Sequence, residues 1–318
     1  YGYLNTSLAG WAPVGGGFSL SFIGCLLGCL WALAITQKRL RYGLTAAGAT
    51  LVIFGVGQFI NDHEWTQTKP SVSQVTIVQP NTPQAMKWNR RYYESILDNL
   101  AHLSERAKPG DIIIWPEAAV PNYYHYAMDD LKPTLRRMNK QSQSLISGIP
   151  FANRATQNYH NSIAVFAGGD GLYHKQRLVP FGEYVPLEPM IRGVIDFFDL
   201  PMSNFSAGDN RQAPLWAHNQ IIAPSICYEV VYPDLVARGA RGSDWLLTIS
   251  NDTWFGDSIG PLQHMQMAQM RALETQRYLV RGTSNGISAI VNPKGQIVGQ
   301  TPQFEPAVLR GKVESRQG

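Results

Sequence analysis

Two apolar runs without a single charge, Phe18 to Ile35 and Gly43 to Ile60, dominate the first part of the chain. Each has about the length that a helix needs to cross a bilayer core, and both are rich in glycine, as membrane helices can be. Soluble cores rarely hold two such runs back to back, so residues 1–62 are expected to form a membrane region with spans at about 18–35 and 43–60. A signal peptide fits poorly, because no basic lead-in precedes the first run and the runs are paired. Between them, Thr36-Gln-Lys-Arg-Leu-Arg41 carries three basic residues. The tendency of basic loops to stay in the cytoplasm orients the second span outward. Everything after about residue 62 is then expected on the outer side, which in a two-membrane bacterium is the periplasmic face of the inner (cytoplasmic) membrane.

Beyond the runs the pattern changes. Trp65 to Ser73 is polar, and residues 63–73 are expected to be a linker to a domain over 74–318. Val75–Val78 reads as a strand, and residues 90–107 have helical spacing with Tyr93, Ile96, Leu97, Leu100 and Leu103 on one side. Asp111–Trp115 is a short buried strand, 127–140 a helix and Ser144–Ile149 a strand. Residues 159–166 and 171–175 pair around the Gly168–Gly171 turn. Ile221–Cys227 and Trp245–Ser250 are further strands, 262–281 a long helix, and 286–292 and 296–299 a closing pair. Alternation of this kind implies one α/β layered domain with mixed strand pairing. Pro186–Asp209 breaks the rhythm: it is loop-like yet apolar. A loop of that length is either packed on its own core or a lid or membrane-dipping arm beside a site.

Composition narrows the function. A charged share of 16% and a net charge of +4, with basic residues scattered rather than grouped, argue against nucleic-acid binding. Of the three cysteines, Cys25 and Cys29 share one face of the first span and are expected to pack there as small apolar residues. Cys227 alone lies outside the membrane, where an unpaired thiol is chemically notable. His160, His174 and His264 lack the spacing of a zinc motif, and the Gly168–Gly171 cluster lacks that of a nucleotide loop. No metal and no cofactor is expected.

Three short motifs stand at strand ends: Trp115-Pro-Glu117, Tyr173-His-Lys175 and Ile226-Cys-Tyr-Glu229. Together they offer a nucleophile, a carboxylate to take its proton and a cation to hold an oxyanion, the roles that acyl transfer through a thioester requires.

This trio resembles the Glu-Lys-Cys triad of the nitrilase superfamily. The sequence also resembles the apolipoprotein N-acyltransferases of bacterial inner membranes. That likeness rests on Val78-Gln-Pro-Asn81 with Met86-Lys-Trp88, Leu178-Val-Pro-Phe-Gly-Glu-Tyr-Val-Pro186 and Phe197-Phe-Asp-Leu-Pro-Met-Ser203. It extends to Leu247-Thr-Ile-Ser-Asn-Asp252 with Trp254-Phe-Gly256, and to Gln266-Met-Ala268 with Met270-Arg-Ala-Leu-Glu274. The resemblance implies a nitrilase-like α-β-β-α sandwich preceded by two transmembrane helices. It implies transfer of an acyl chain from a membrane phospholipid to Cys227, then to the N-terminal amine of a diacylated apolipoprotein. Glu117 would be the base, and Lys175 with a backbone N–H, that of Tyr228 for example, would hold the oxyanion. Glu183 would orient Lys175 or the amine, Glu229 would hold the site loop or Lys175, and Asn251 would support the site. Trp88, Tyr228 and Trp254 would line or gate the pocket, unless they are plain core. Family members resemble an eight-span protein, so a chain that starts at Tyr1 with two spans is expected to be a piece of something longer.

A membrane-anchored amidase or nitrilase-type hydrolase would use the same trio, releasing free acid from a small amide. A catalytically dead binding module is the non-enzymatic alternative.

Overall fold

The computed structural model describes residues 2–153, 155–180, 182–184 and 205–318. In chain order, the first sheet's strands are β1 (Gln67–Gln79), β2 (Ile112–Ile114), β3 (Ser144–Asn153) and β4 (Asn158–Ala167). Strand β5 (Gly169–Asp170) belongs to the second sheet, whereas β6 (Leu172–His174) returns to the first. The second sheet continues with β7 (Leu215–Ala217), β8 (Gln220–Ile226), β9 (Trp245–Ser250), β10 (Leu279–Thr283), β11 (Ala289–Val291) and β12 (Ile297–Gln300). The last strand, β13 (Ala307–Gln317), closes the first sheet. The sheet orders are β13-β1-β2-β3-β4-β6 and β12-β11-β10-β9-β8-β7-β5.

The layering follows from side-chain alternation. Successive side chains of a strand point to opposite faces. Ile112 and Ile114 of β2 therefore enter a core shared with Ile226, Leu247, Ile249 and Val280 of the other sheet, while Ile113 points to the outer helices. Helices α4 (Tyr93–Leu103) and α5 (Tyr124–Lys140) cover that outer face through Ile96, Leu100, Leu131 and Leu135. On the far side, α6 (Pro233–Ala240) and α7 (Gly260–Thr275) cover Ala223, Leu246 and Leu279. The result is the expected α-β-β-α sandwich. Strands β1, β2 and β3 run parallel to one another, as do β8, β9 and β10, with antiparallel strands flanking each set. The ends of β2, β8 and β9 deliver Glu117, Cys227 and Asn251, and the loop after β1 leads to the four-residue helix α3 (Gln84–Lys87).

The apolar runs form helices α1 (Ala12–Gln37) and α2 (Leu40–Asn61), joined through Lys38 in a left-handed conformation. Both are long and apolar enough to cross a membrane, with mean hydropathies of 2.2 and 1.6. Phe18, Phe22, Leu51 and Phe59 point outward, as side chains in hydrocarbon do. Cys25 and Cys29 are likewise exposed on the first helix. Near its start α1 kinks at Gly16, where φ is +74°. Glu274 of α7 accepts the Gly17 N–H at 2.6 Å, and Leu20 packs on Met270 and Leu273. The first helix is thereby fastened to the sandwich.

Two expectations need correction. The stretch expected to be a linker through residue 73 is strand from Gln67 onward, paired to β13 from Gln67↔Gln317 to Gln79↔Ala307. Its polarity misled because this end of the pair is exposed, and the register breaks between Thr68 and Val72 around Pro70. The polar tail Leu309–Gly318 is mostly the partner strand. The helix expected to run to 281 ends at Thr275, where Gln276 takes a left-handed φ of +46°, and Leu279–Thr283 is a wholly buried strand. Of the 186–209 segment, residues 186–204 lie outside the described residues. Phe205 and Ser206 are tied down by N–H bonds to Glu183 O at 3.1 Å and Tyr159 O at 2.7 Å.

Candidate active site

Cys227 follows the last residue of β8 and opens a 3-10 turn over Cys227–Val231. Its φ of +53° lies in the left-handed region that non-glycine residues seldom occupy. Strain at a strand-to-helix turn lifts a side chain out of the sheet toward an open site. Two contacts hold the turn. Glu229 accepts the Ile226 N–H at 2.8 Å, and His264 Nε2 lies 3.1 Å from the Cys227 carbonyl. Burial pushes the thiol up to about 12, and the Glu117 charge adds to this, while Lys175 opposes it. The group is therefore a thiol near neutrality and requires a base to become a nucleophile.

Glu117 is presented by the turn after β2. Trp115 anchors that turn through its N–H to Ile146 O at 2.9 Å and its indole N–H to Ser104 Oγ at 2.9 Å. Gly148 on β3 makes room for it: a Cβ there would meet Ala118 N, Pro116 O and the Glu117 Cα at 2.6–2.7 Å. The carboxylate is buried and held at both oxygens. Oε1 accepts from Asn161 Nδ2 at 2.7 Å, and Oε2 accepts the Asn251 N–H at 2.7 Å. The Asn251 side chain in turn donates to Gln84 Oε1 at 3.0 Å.

Lys175 follows β6, fixed by its N–H to Asn161 O at 2.8 Å. Its side chain is 1% exposed, with Nζ 2.8 Å from Glu183 and 3.8 Å from Glu117 Oε1. Burial works against the ammonium, but the charges of Glu117, Cys227 and Glu183 outweigh it and hold Lys175 above the ordinary lysine range. It is a fixed cation. Glu183 also accepts the Val179 N–H at 2.9 Å and an Asn161 Nδ2 bond at 3.0 Å. Of the two options for Glu183, the geometry displays the contact with Lys175.

Glu229 is fully buried and accepts from Gln176 N–H at 2.6 Å, Arg177 N–H at 3.0 Å and Tyr173 Oη. It holds the loop that follows Lys175, and no direct bond to Lys175 is found among the described residues. Burial pushes its carboxyl up, against the pull of those backbone N–H groups.

Glu117, Lys175 and Cys227 line one cavity of about 420 Å³ together with Glu183, Asn161 and Asn251. Aromatic side chains complete its lining: Trp88, Tyr228, Trp254, Phe255 and Phe205. Tyr228 and Trp254 are exposed and Trp88 is half-buried, so these aromatics stand at a mouth rather than in a core.

Several residues here carried no sequence signal. Asn161 lies mid-strand, and only the fold sets it between two carboxylates. Lys87 sits inside the Met86-Lys-Trp88 motif but reads as a surface residue, yet it is buried and donates to the Glu117 carbonyl at 2.9 Å. His264, which has no zinc-motif spacing, is structural: it connects Cys227 to a buried Asp252–Arg281 pair, whose N–O separation is 2.6 Å. Its i+12 spacing from Asp252 offers no local pattern. No cluster of histidine, cysteine or carboxylate side chains suited to a metal occurs among the described residues.

Comparison with known proteins shows the family and the fold. The carbon-nitrogen hydrolase family model matches residues 74–317. The chain is 46% identical to an apolipoprotein N-acyltransferase of Pseudomonas syringae pv. tomato, over 98% of this chain and 63% of that protein. It is 44% identical to the enzyme of that name from Pseudomonas putida, over 100% of this chain and 63% of the relative. The chain thus spans under two thirds of these relatives' length. Among solved structures, Saccharomyces cerevisiae Nit3, a member of the nitrilase superfamily, superposes with a TM-score of 0.59 at 19% identity, covering 76% of this chain and 90% of that one. A carbon-nitrogen hydrolase from Helicobacter pylori superposes at 0.54 with 15% identity, over 76% and 89%. At such identities these two speak for the fold alone.

Proposed function

Because the chain belongs to the carbon-nitrogen hydrolase family, we propose that Cys227, Glu117 and Lys175 are its nucleophile, base and oxyanion-holding cation, in an acyltransferase that works at a membrane surface. The donor is a membrane phospholipid, and the acceptor is the N-terminal amine of a diacylated apolipoprotein. The observation that carries this reading is the pairing of a buried Glu-Lys-Cys trio with an aromatic, apolar cavity mouth, on a domain fastened to two membrane-length helices. Relatives that share 44–46% identity bear the name apolipoprotein N-acyltransferase, which supports the choice of donor and acceptor.

In the first step Glu117 takes the thiol proton as Cys227 Sγ attacks the ester carbonyl. Negative charge moves to the carbonyl oxygen, where Lys175 and a backbone N–H of the Cys227–Tyr228 turn stabilise it. The carbon–oxygen ester bond then breaks, and Glu117 returns the proton to the departing lysophospholipid oxygen. In the second step the neutral amine attacks the thioester, Glu117 takes its proton, and the carbon–sulfur bond breaks to restore the thiol. Water competes with the amine for the thioester, and an acyl chain filling the aromatic mouth would keep it out. Glu183 and Asn161 hold Lys175 and Glu117 in register, Glu229 braces the loop behind Lys175, and Asn251 fixes Glu117 through its N–H. Trp88, Tyr228 and Trp254 receive the acyl chain. The basic loop Lys38–Arg41 supports an orientation with this domain on the periplasmic face of the inner membrane.

The test supplies phosphatidylethanolamine vesicles and a diacylated lipopeptide to the full-length protein and separates products by mass. Acylated lipopeptide that forms with lysophospholipid, and not with Cys227→Ala, supports transfer. Free fatty acid as the sole acyl product, with the lipopeptide unchanged, would replace it with the hydrolase reading.

A further inference from the structure

Lys87 poses a physical problem that the reaction above does not use. Its side chain is buried, 3% exposed, at the end of α3. Its Nζ donates at 2.9 Å to the backbone carbonyl of Glu117, a neutral group. Among the described residues no carboxylate oxygen lies within ion-pair reach of it. A buried ammonium carries a large desolvation cost. A glutamine could make the same bond to a carbonyl without that cost, so the charge itself calls for a reason. The cavity supplies one. Glu117 and Glu183 bring two negative charges, and Lys175 returns a single positive one. Lys87 lines the same cavity and brings the sum to zero.

We propose that Lys87 is a positioning residue of the acyl-transfer site: its ammonium fixes the turn that presents Glu117 and offsets the second carboxylate of the cavity, which favours ionisation of Cys227. This rests on the acyl-transfer reading for its role in the reaction, but not for its effect on the thiol. The charged groups that face Lys87 come from several elements. Glu117 follows β2 and Cys227 follows β8, and both favour its ammonium. Lys175 and Glu183 share its cavity, and Arg90, Arg91, Glu94 and Asp98 line the cleft on its outer side. Burial draws Lys87 down to about 8, against those two attractions.

The sign of the pH effect follows. Lys87 is cationic below that value and neutral above it. A rate that needs the cation falls as pH rises through about 8. The thiol alone would give the opposite trend, because more thiolate forms as pH rises.

The experiment compares wild type with Lys87→Gln, Lys87→Arg and Lys87→Met in the full-length protein. Two readouts are followed against pH: alkylation of Cys227 by iodoacetamide, located by peptide mass, and acyl-enzyme formation from phosphatidylethanolamine vesicles. Lys87→Gln keeps a donor for the carbonyl but no charge. It is expected to slow both processes by about tenfold at pH 7, the effect of one unit in the thiol's ionisation. Lys87→Arg is expected to stay within about threefold of wild type and to carry the falling limb to higher pH, because guanidinium does not deprotonate in this range. Wild-type rates and an unchanged pH profile in Lys87→Gln would overturn the proposal, whatever becomes of Lys87→Met if it fails to fold. Should wild type form no acyl-enzyme while Lys87→Gln still slows alkylation, the acyl-transfer reading falls and the charge role of Lys87 stands.

Discussion

His264 grips the backbone of the proposed nucleophile: its Nε2 lies 3.1 Å from the carbonyl oxygen of Cys227. Burial and the neighbouring Arg281 charge hold this imidazole below the ordinary histidine range. It is therefore neutral near pH 7, with Nε2–H donating to Cys227 and Nδ1 accepting from Arg281 Nη2 at 3.0 Å. A residue on α7 thus steadies a left-handed turn at the end of β8. The same helix carries Glu274, which binds the Gly17 N–H of the first membrane-length helix.

Replacing His264 with Phe keeps the bulk but removes the donor. The strained Cys227 turn is then expected to relax, and displacements near 1 Å can cost about a hundredfold in rate. Single-turnover acylation should show this loss, and alkylation of Cys227 should fall with it. Unchanged rates in both would mean that the turn needs no such clamp.

Asn161 Nδ2 bridges Glu117 and Glu183 at 2.7 and 3.0 Å. Asn161→Ala removes a donor shared by two carboxylates, and Asn161→Asp adds a third negative charge beside them. The expected order of acylation rates is wild type, then Ala, then Asp, with the Ala variant down by about tenfold or more. An Asp variant as active as the Ala variant would show that charge at this point is immaterial.

Glu229 satisfies three backbone N–H groups and the Tyr173 hydroxyl. Glu229→Ala orphans all of them in a buried place, at about 1–3 kcal/mol for each unsatisfied group. Thermal unfolding should drop far more for Glu229→Ala than for Glu229→Gln, which retains one acceptor. Equal midpoints would contradict the bracing role.

Asp252 gives a pH-dependent prediction. Burial acts to raise its carboxyl, but the Arg281 charge and the Ser250 hydroxyl outweigh this and hold it well below the usual carboxylate range. Its folded-state ionisation is therefore favoured. The stability it contributes is full above the unfolded value, near 4, and is lost as pH falls below that. Asp252→Asn leaves buried Arg281 without its charge partner, which typically costs about 3–5 kcal/mol near neutrality. The variant should lose less further stability than wild type on going from pH 7 to pH 3. Parallel losses on acidification would assign the acid sensitivity elsewhere.

The elements that bear the proposed reacting groups are legible in the sequence because each ends an apolar strand run at a residue whose chemistry is unusual there. Glu117 follows Ile112–Ile114, and Cys227 follows Ile226. The two apolar spans are legible from hydropathy alone. What escapes is long-range pairing. The strand Gln67–Gln79 looks like a linker because its stabilising partner, Ala307–Gln317, lies more than two hundred residues away and is itself polar. The strand Leu279–Thr283 is absorbed into the preceding helix because a helix-ending left-handed Gln276 leaves no composition signal. Asn161, Lys87 and the Asp252–His264–Arg281 group acquire meaning only when β4, α3, α7 and β10 converge.

The most direct test of acyl transfer through Cys227 is the intact mass of the full-length protein after incubation with phosphatidylethanolamine vesicles, with no acceptor present. The expected result is a single fatty-acyl increment in wild type, mapped to the peptide that contains Cys227, absent from Cys227→Ala and discharged by a diacylated lipopeptide. Acceptor acylation without any such adduct at early times, or with full activity in Cys227→Ala, would contradict it.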